Sequence, residues 1–303
     1  MNRRDFLKFL GLGLLSASGC APVLTPLSLD ELKDSGHKFS TVDSINLCYN
    51  QTGQGRDIVA IHGLAGTKET FSPLSKCLPE FRLTTFDLKG HGNSDKPEKG
   101  YSLTELATET KEFTEILGIK KPYFIGHSLG ASILAYLKLQ SQNLAEKGIY
   151  LSGYIPQISE PNPIKLEGML SDINLYLMNP FLLEMSLENL CFSNHPSEIK
   201  EQAEYRYPFL KTHEGWSSVQ KTFEAAEVDL RKFSVEQFRE VSKGNLCVHG
   251  RNDPLMKLVK DPEQKFKELY PDSRLIILEK CGHLSTIEKP EELAGIVREY
   301  FGS

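Results

Sequence analysis

The sequence predicts an α/β protein: a mostly parallel, doubly wound sheet with a helical cap inserted into it. Two observations carry that expectation. Through most of the chain, short apolar runs bounded by turn residues alternate with helical stretches of about 10–15 residues, the pattern of strands joined by helical crossovers. That rhythm breaks over about 157–240, where no strand is convincing and Pro156, Pro161, Pro163, Pro180, Pro196 and Pro208 flank or punctuate helical stretches.

The elements follow in chain order. Within Lys38–Asn50, Val42, Ile45, Leu47 and Tyr49 alternate around Asp43-Ser44, which reads as two short antiparallel strands. Asp57–His62 is a compact apolar run before a glycine, as expected of a buried parallel strand. Phe71–Pro79 reads as a helix and Phe81–Asp87 as a strand. Over Ser102–Leu117, the residues Leu103, Leu106, Phe113, Ile116 and Leu117 share one helical face, and Gly118 stops it. Tyr123–Gly126 is a short strand, followed at once by a helix over Ser128–Gln140 and then a strand over Gly148–Leu151. In the inserted stretch, Leu166–Tyr176 and Phe181–Leu190 read as helices. Met169, Leu170, Met178, Phe181 and Met185 supply apolar surface there, for packing on the core and for lining a pocket. Gly244–Gly250 and Ser273–Leu278 are the last strands, with a charged helix near Lys260–Leu269 between them and a closing helix over Glu291–Tyr300.

Composition excludes several classes. With 35 Lys+Arg against 40 Asp+Glu, a net charge of −5 and 40% hydrophobic residues, the 303-residue chain is not disordered, collagen-like or a simple coiled coil. No basic excess points to nucleic acid, so no nucleic-acid partner is expected. Six cysteines are too few for a disulfide scaffold; those beyond Cys20 read as small buried hydrophobes. No apolar run reaches the roughly 20 residues of a membrane-spanning helix.

The chain opens Met1-Asn2-Arg3-Arg4-Asp5-Phe6-Leu7-Lys8, continues through the apolar Phe9–Leu15, and reaches Ser16-Ala17-Ser18-Gly19-Cys20. A basic start, a brief apolar core and small residues before a boundary read as a signal peptide over residues 1–19. Arg3-Arg4-Asp5-Phe6-Leu7-Lys8 resembles the twin-arginine export signal. Ala17-Ser18-Gly19-Cys20 resembles the bacterial lipobox, with Ala17 where that motif prefers Leu. These resemblances imply an exported protein on the periplasmic or cell-envelope side, held to a membrane through an acylated Cys20. The alternative is a cleaved signal in which Cys20 is incidental. Residues 20–37, with Pro22, Pro26 and Gly36, read as a tether to a domain spanning 38–303.

Gly126-His127-Ser128-Leu129-Gly130 fits G-x-S-x-G between a strand and a helix. A serine at the apex of so tight a turn needs small neighbours, because its backbone is strained and two chain segments pass closely. The tip of the following helix also favours developing negative charge. In this context the chain resembles the α/β-hydrolase family from about Lys38 to its C-terminus, with the cap the least matched part. The family's chain order is nucleophile, acid, histidine. Asp253, in His249-Gly250-Arg251-Asn252-Asp253-Pro254, follows a strand and matches the acid; His283, in Lys280-Cys281-Gly282-His283, follows the last strand and matches the histidine. Asp229 and Asp261 are rival acids that follow no strand. The resemblance implies Ser128 as nucleophile, His283 as base and then acid, and Asp253 as the group that fixes its tautomer. His62-Gly63-Leu64-Ala65-Gly66 resembles the family's His-Gly motif, so the backbone N–H groups of Leu64 and Leu129 are the expected oxyanion hole. His62 and His127 read as structural. Asp87-Leu88-Lys89-Gly90-His91-Gly92-Asn93-Ser94-Asp95 matches a recurrent family stretch and reads as a structural loop; its rival, a metal site at His91 and Asp95, matches no familiar ligand spacing.

The function expected on these residues is a serine hydrolase of the carboxylesterase or lipase-like kind. It would cleave a carboxylic ester, or a related lactone, thioester or amide, of a small apolar substrate through an acyl-enzyme. No cofactor and no metal is expected, since no Gly-rich phosphate loop and no flavin or nicotinamide fingerprint occurs. Ser rather than Asp as nucleophile sets the chain apart from the dehalogenase and epoxide-hydrolase branches. A carbon–carbon bond hydrolase or acyltransferase on the same triad, and a non-catalytic binding module on the same fold, are the other readings.

Overall fold

A computed structural model describes residues 28–302 except 35, 142, 146, 154–179, 255 and 257–260. The signal segment, Cys20 and the helix expected over Leu166–Tyr176 lie outside the described residues. Helix α1 (Leu29–Asp34) falls in the stretch expected as a plain tether. Reciprocal bonds supply what periodicity did not show: the Ser28 N–H donates to Glu31 Oε2 (2.7 Å) and the Glu31 N–H to Ser28 Oγ (3.3 Å), a capping box.

Strands β1 (Lys38–Val42) and β2 (Ile45–Thr52) pair antiparallel, with Val42 opposite Ile45. Asp43 and Ser44 turn the chain at φ 42° and 65°, the left-handed pair that a two-residue hairpin turn requires. Then follow β3 (Arg56–Ile61), a 3-10 turn (Lys68–Phe71), α2 (Ser72–Lys76) and β4 (Phe81–Phe86). The helix expected over Phe71–Pro79 is therefore shorter; its end closes where the Cys77 N–H bonds back to Leu74 O. Next come α3 (Leu103–Ile116), β5 (Tyr123–His127), α4 (Leu129–Gln140) and β6 (Gly148–Leu151). Between β6 and β7 the described residues form α5 (Pro180–Leu190), α6 (Pro196–Leu210), α7 (His213–Lys232) and α8 (Val235–Ser242), and no strand. The chain closes with β7 (Leu246–Gly250), α9 (Pro262–Leu269), β8 (Arg274–Leu278), α10 (Ser285–Glu288) and α11 (Pro290–Gly302).

The eight strands form one sheet in the order β1-β2-β4-β3-β5-β6-β7-β8. Pairing is parallel from β4 through β8 and antiparallel only at β1–β2 and β2–β4, so the mostly parallel sheet is as expected. Along β3, Val59 and Ile61 enter one core while Ile58 and Ala60 enter the other, the period-two alternation of a strand covered on both faces. On the first face Phe113 of α3 stacks on Phe86 (centroids 4.5 Å) and meets Tyr49 edge-on (5.7 Å). Truncating so buried a Phe to Ala typically costs about 3–5 kcal/mol.

Two side chains depart from expectation. Ile116, placed on the buried face of α3, is 56% exposed; that face continues from Phe113 and Thr114 to Leu117, which packs on the same core, and Ile116 points off it. Phe181, expected to supply buried apolar surface, is 62% exposed; Leu183 and Leu187 make the inward side of α5 instead. They join Ile199, Phe209 and Leu284 in a third apolar cluster, against which Leu64 packs.

Candidate active site

Beyond β3 the chain turns to β4 on one side and then returns as β5 on the other. Such a switch point opens a crevice at the carboxyl ends of the strands. His62-Gly63-Leu64 leaves β3 at that edge, Ser128 leaves β5, Asp253 follows β7 and His283 follows β8. Parallel pairing thus gathers the sequence-predicted residues on one edge of the sheet.

Ser128 sits at φ 53°, ψ −116°, a conformation that costs a non-glycine residue about 1–3 kcal/mol. Its neighbours hold it there. The Ser128 N–H donates to Leu151 O (2.9 Å), and Ser128 O accepts from the Ala131 N–H (3.0 Å). The first turn of α4 lies directly on the end of β3: a Cβ on Gly130 would stand 2.1 Å from Ile61 O and 2.7 Å from His62 O. Gly130→Ala is accordingly expected to destabilise by about 3 kcal/mol or more, the upper end of overpacking penalties. Gly295→Ala is the control in α11, where nothing lies within 4 Å, and should stabilise by up to about 1 kcal/mol. Denaturant unfolding of both variants checks the pair.

Gly63 brings the loop after β3 against the nucleophile, its Cβ position 2.9 Å from Ser128 Cβ and 3.3 Å from His127 Nδ1. The expected oxyanion donors flank this contact. Leu129 is the first residue of α4, where an unsatisfied N–H is inherent. Neither the Leu64 nor the Leu129 N–H has an acceptor among the described residues. His62 anchors the loop: its Nε2 accepts from the Leu88 N–H (3.0 Å), which assigns the proton to Nδ1, and Nδ1–H donates to Gly63 O (2.7 Å). Burial pushes His62 down to about 3, so it is a neutral structural group, as read from the sequence.

His283 Nδ1 lies 2.8 Å from Asp253 Oδ2, with Asp253 1% exposed. The two loops are laced together by Arg251 N–H to Leu278 O (2.9 Å) and Asn252 N–H to Cys281 O (2.8 Å). A proton on Nδ1 shared with Asp253 leaves Nε2 as the basic nitrogen. The His283 backbone is pinned twice, its N–H donating to Leu190 O at the end of α5 (2.6 Å) and its carbonyl accepting from His127 Nε2 (2.9 Å). The His127 and His283 rings are 4.9 Å apart. Burial, reinforced by His283, pushes His127 down to about 3. The sequence marked His127 as structural but held no signal for this link, which joins residues 156 apart.

The remaining candidates are engaged elsewhere. Asp229 Oδ2 accepts from the Leu103 N–H at the start of α3 (2.9 Å), and Asp261 is the residue before α9, where its side chain makes no capping bond. Asp87 is buried and accepts from the Lys68 N–H (2.7 Å), the Asn93 N–H (2.9 Å) and Lys68 Nζ (3.3 Å), a structural clamp. Asp95 Oδ2 takes both the N–H (2.8 Å) and Nδ2 (2.9 Å) of Asn46, while His91 Nδ1 lies 3.2 Å from Lys89 O. Among the described residues no group of three His, Cys, Asp or Glu could hold a metal, and no helix is long and apolar enough to cross a membrane. Cys48, Cys247 and Cys281 are buried as expected, but Cys77 and Cys191 are only half-buried. Burial pushes the Cys281 thiol up, away from the thiolate a nucleophile needs. A cavity of about 10 Å³ behind α4, edged by Ala131, Tyr150 and His249, does not include Ser128 and is far too small for a substrate.

Fold and site edge together define the class: the chain has the α/β-hydrolase fold. The profile of the alpha/beta hydrolase fold family matches residues 58–167. Over 278 residues the chain is 24% identical to the AB hydrolase superfamily protein YisY of Bacillus subtilis (strain 168), a match covering 88% of this chain and 100% of that one. It is 22% identical over 281 residues to the soluble epoxide hydrolase of Corynebacterium sp. (strain C12), covering 88% and 96% of the two chains. The esterase EaEST from Exiguobacterium antarcticum superposes with a TM-score of 0.73 at 20% identity, covering 88% and 98%; at that identity the likeness is one of fold. The matched segment and these relatives are what the chain resembles in sequence, and the fold agrees with that likeness.

Proposed function

We propose that the protein is a serine hydrolase that cleaves a carboxylic ester, or a related acyl bond, through Ser128, His283 and Asp253. The observation that carries this reading is the strained serine at φ 53° on the same sheet edge as a buried His283–Asp253 bond of 2.8 Å. With a substrate carbonyl over Ser128, His283 Nε2 takes the hydroxyl proton as Oγ attacks. The oxyanion forms against the N–H groups of Leu64 and Leu129; losing one such donor typically costs about 2.7–4 kcal/mol. Collapse expels the alcohol, which receives the proton from His283, and water releases the acyl group by the reverse sequence. One relative is an epoxide hydrolase; Ser128 at the elbow, where that branch uses Asp, favours acyl transfer here. The helices between β6 and β7 belong to a cap of about 157–240 over this edge, a reading supported by the packing of Leu64 on the cluster of α5 and α6. A panel of short and long p-nitrophenyl esters beside dienone substrates tests the reaction class. Ester cleavage is expected; cleavage of the dienones alone would instead establish a carbon–carbon hydrolase.

The same proposal extends to location. Residues 1–19 act as a twin-arginine signal, and Cys20 becomes the acylated N-terminus of an exported, membrane-tethered enzyme. Mass spectrometry of the mature chain is expected to find an acylated Cys20; an unmodified N-terminus beyond position 20 overturns the anchor.

A further inference from the structure

Helix α6 turns an apolar stripe inward, with Ile199, Ala203 and Leu210 buried at helical spacing. Arg206 stands on that same stripe, 6% exposed. A guanidinium withdrawn from water is costly unless a counter-charge meets it. Here none does: among the described residues Arg206 has no carboxylate partner. Its Nη2 donates only to the neutral Thr70 Oγ1 (3.3 Å) and Gln202 Oε1 (3.2 Å), and its buried Nε has no acceptor. Burial pushes the group down to about 10, which leaves it cationic at neutral pH. Glu288, a buried carboxylate of this region, is committed to the N–H groups of Phe192 (2.7 Å) and Gly282 (2.9 Å).

The position of this charge is informative. Thr70 closes the turn that follows the His62–Gly66 loop, its Oγ1 3.3 Å from the Cβ position of Gly66. The neighbouring Gln202 donates to Glu69 O (2.9 Å), so α6 is docked on that turn. The field of Arg206 reaches both His62 and His127, the residues on either side of the crevice at Ser128. Leu64 and Ala65 pack on the cluster that contains Ile199 and Ala203. Among the described residues, the cap helix therefore holds a cation without a counter-charge against the turn that follows the His62–Gly66 loop. As a tie between α6 and the turn alone, a neutral side chain would serve with a smaller desolvation cost.

We propose that Arg206 is a specificity-determining residue that binds a carboxylate carried by the substrate, so that the preferred substrate is an ester with a free carboxylate at the end away from the scissile carbonyl. The proposal rests on the serine-hydrolase reading and amends its apolar substrate to an anionic one. With Nη2 held by Thr70 and Gln202, the unpartnered Nε–H is the donor left for a carboxylate oxygen, and a bond to a charged acceptor is the strong kind.

The test compares the 4-nitrophenyl monoester of adipic acid with its neutral methyl ester counterpart, in the full chain and in Arg206→Met and Arg206→Lys. The wild type is expected to favour the free acid in kcat/KM, and Arg206→Met to lower the acid-to-neutral ratio by about 10–100-fold, the weight of a charged hydrogen bond. Arg206→Lys keeps the charge without the Nε–H donor and should retain part of the preference; it also serves if the Met variant does not fold. A wild-type ratio at or below one, or a ratio that neither variant changes, overturns the proposal. Equal loss on both esters marks a structural tie and overturns it as well. Adipate alone supplies a readout without turnover. It should raise the thermal midpoint of the wild type and raise it less in the variants. If no ester is cleaved and fluorophosphonate labels nothing, the hydrolase reading fails, and the adipate shift alone decides the anion site.

Discussion

Ser128→Ala is expected to abolish fluorophosphonate labelling and to lower kcat for ester hydrolysis by about 10⁶-fold, the scale on which serine hydrolases lose rate with their nucleophile. The change removes only Oγ. The Cβ that faces Gly63 stays, and so do the backbone bonds to Leu151 and Ala131 that hold the elbow. Stability should therefore remain within about 0.5 kcal/mol of the wild type, as for substitutions that break no buried contact. That separation gives the experiment its force, because a variant that folds, binds and fails to turn over has lost chemistry alone. Persistent labelling, or a loss of less than tenfold, would place the nucleophile elsewhere. Among the buried thiols Cys281 is nearest in sequence to His283, but its proton is held by burial and its Sγ donates to Gly282 O (3.6 Å).

Much of this arrangement was legible in the chain, and the reason is local. Asp43-Ser44 between alternating residues announced a hairpin because a two-residue turn requires left-handed backbone, and both residues adopt it. The runs at Ile58–Ile61 and Leu246–Gly250 announced buried strands because both faces of a parallel sheet are covered. Ser128, Asp253 and His283 are matched through the resemblance to the α/β-hydrolase chain order; each follows a strand, and parallel strands present those ends together. What escaped the sequence depends on distance or on docking. Ile116 stands about 100° round the helix from its neighbour Leu117, so it falls off the stripe of Leu106, Phe113 and Leu117 that packs on the core. Phe181 lies on the wrong side of α5 for the same reason. His127 reaches His283, and Arg206 reaches Thr70, across gaps of 156 and 136 residues. The one trace of Arg206 in the sequence is its spacing, a charged residue seven positions after Ile199 on the face that also carries Ala203 and Leu210.

Asp253→Asn is expected to lower kcat by about 10⁴-fold while leaving substrate binding and the fold in place. The carboxylate accepts the Nδ1 proton of His283 at 2.8 Å in a position 1% exposed, so one tautomer is enforced and Nε2 is left basic. An amide of the same shape reverses this. Its NH₂ group donates to Nδ1, the ring proton moves to Nε2, and that nitrogen no longer accepts from Ser128. The variant also loses the negative charge that offsets the imidazolium as Ser128 attacks. Fluorophosphonate labelling should slow by a comparable factor rather than vanish, because Oγ is still present, which distinguishes this loss from that of Ser128→Ala. Asp229→Asn is the matched control. Its carboxylate accepts from the Leu103 N–H at the start of α3, an amide oxygen can do the same, and the rate should not change. A rate for Asp253→Asn equal to the wild type, or a loss shared with Asp229→Asn, would remove Asp253 from the reaction and leave the buried 2.8 Å bond a structural one.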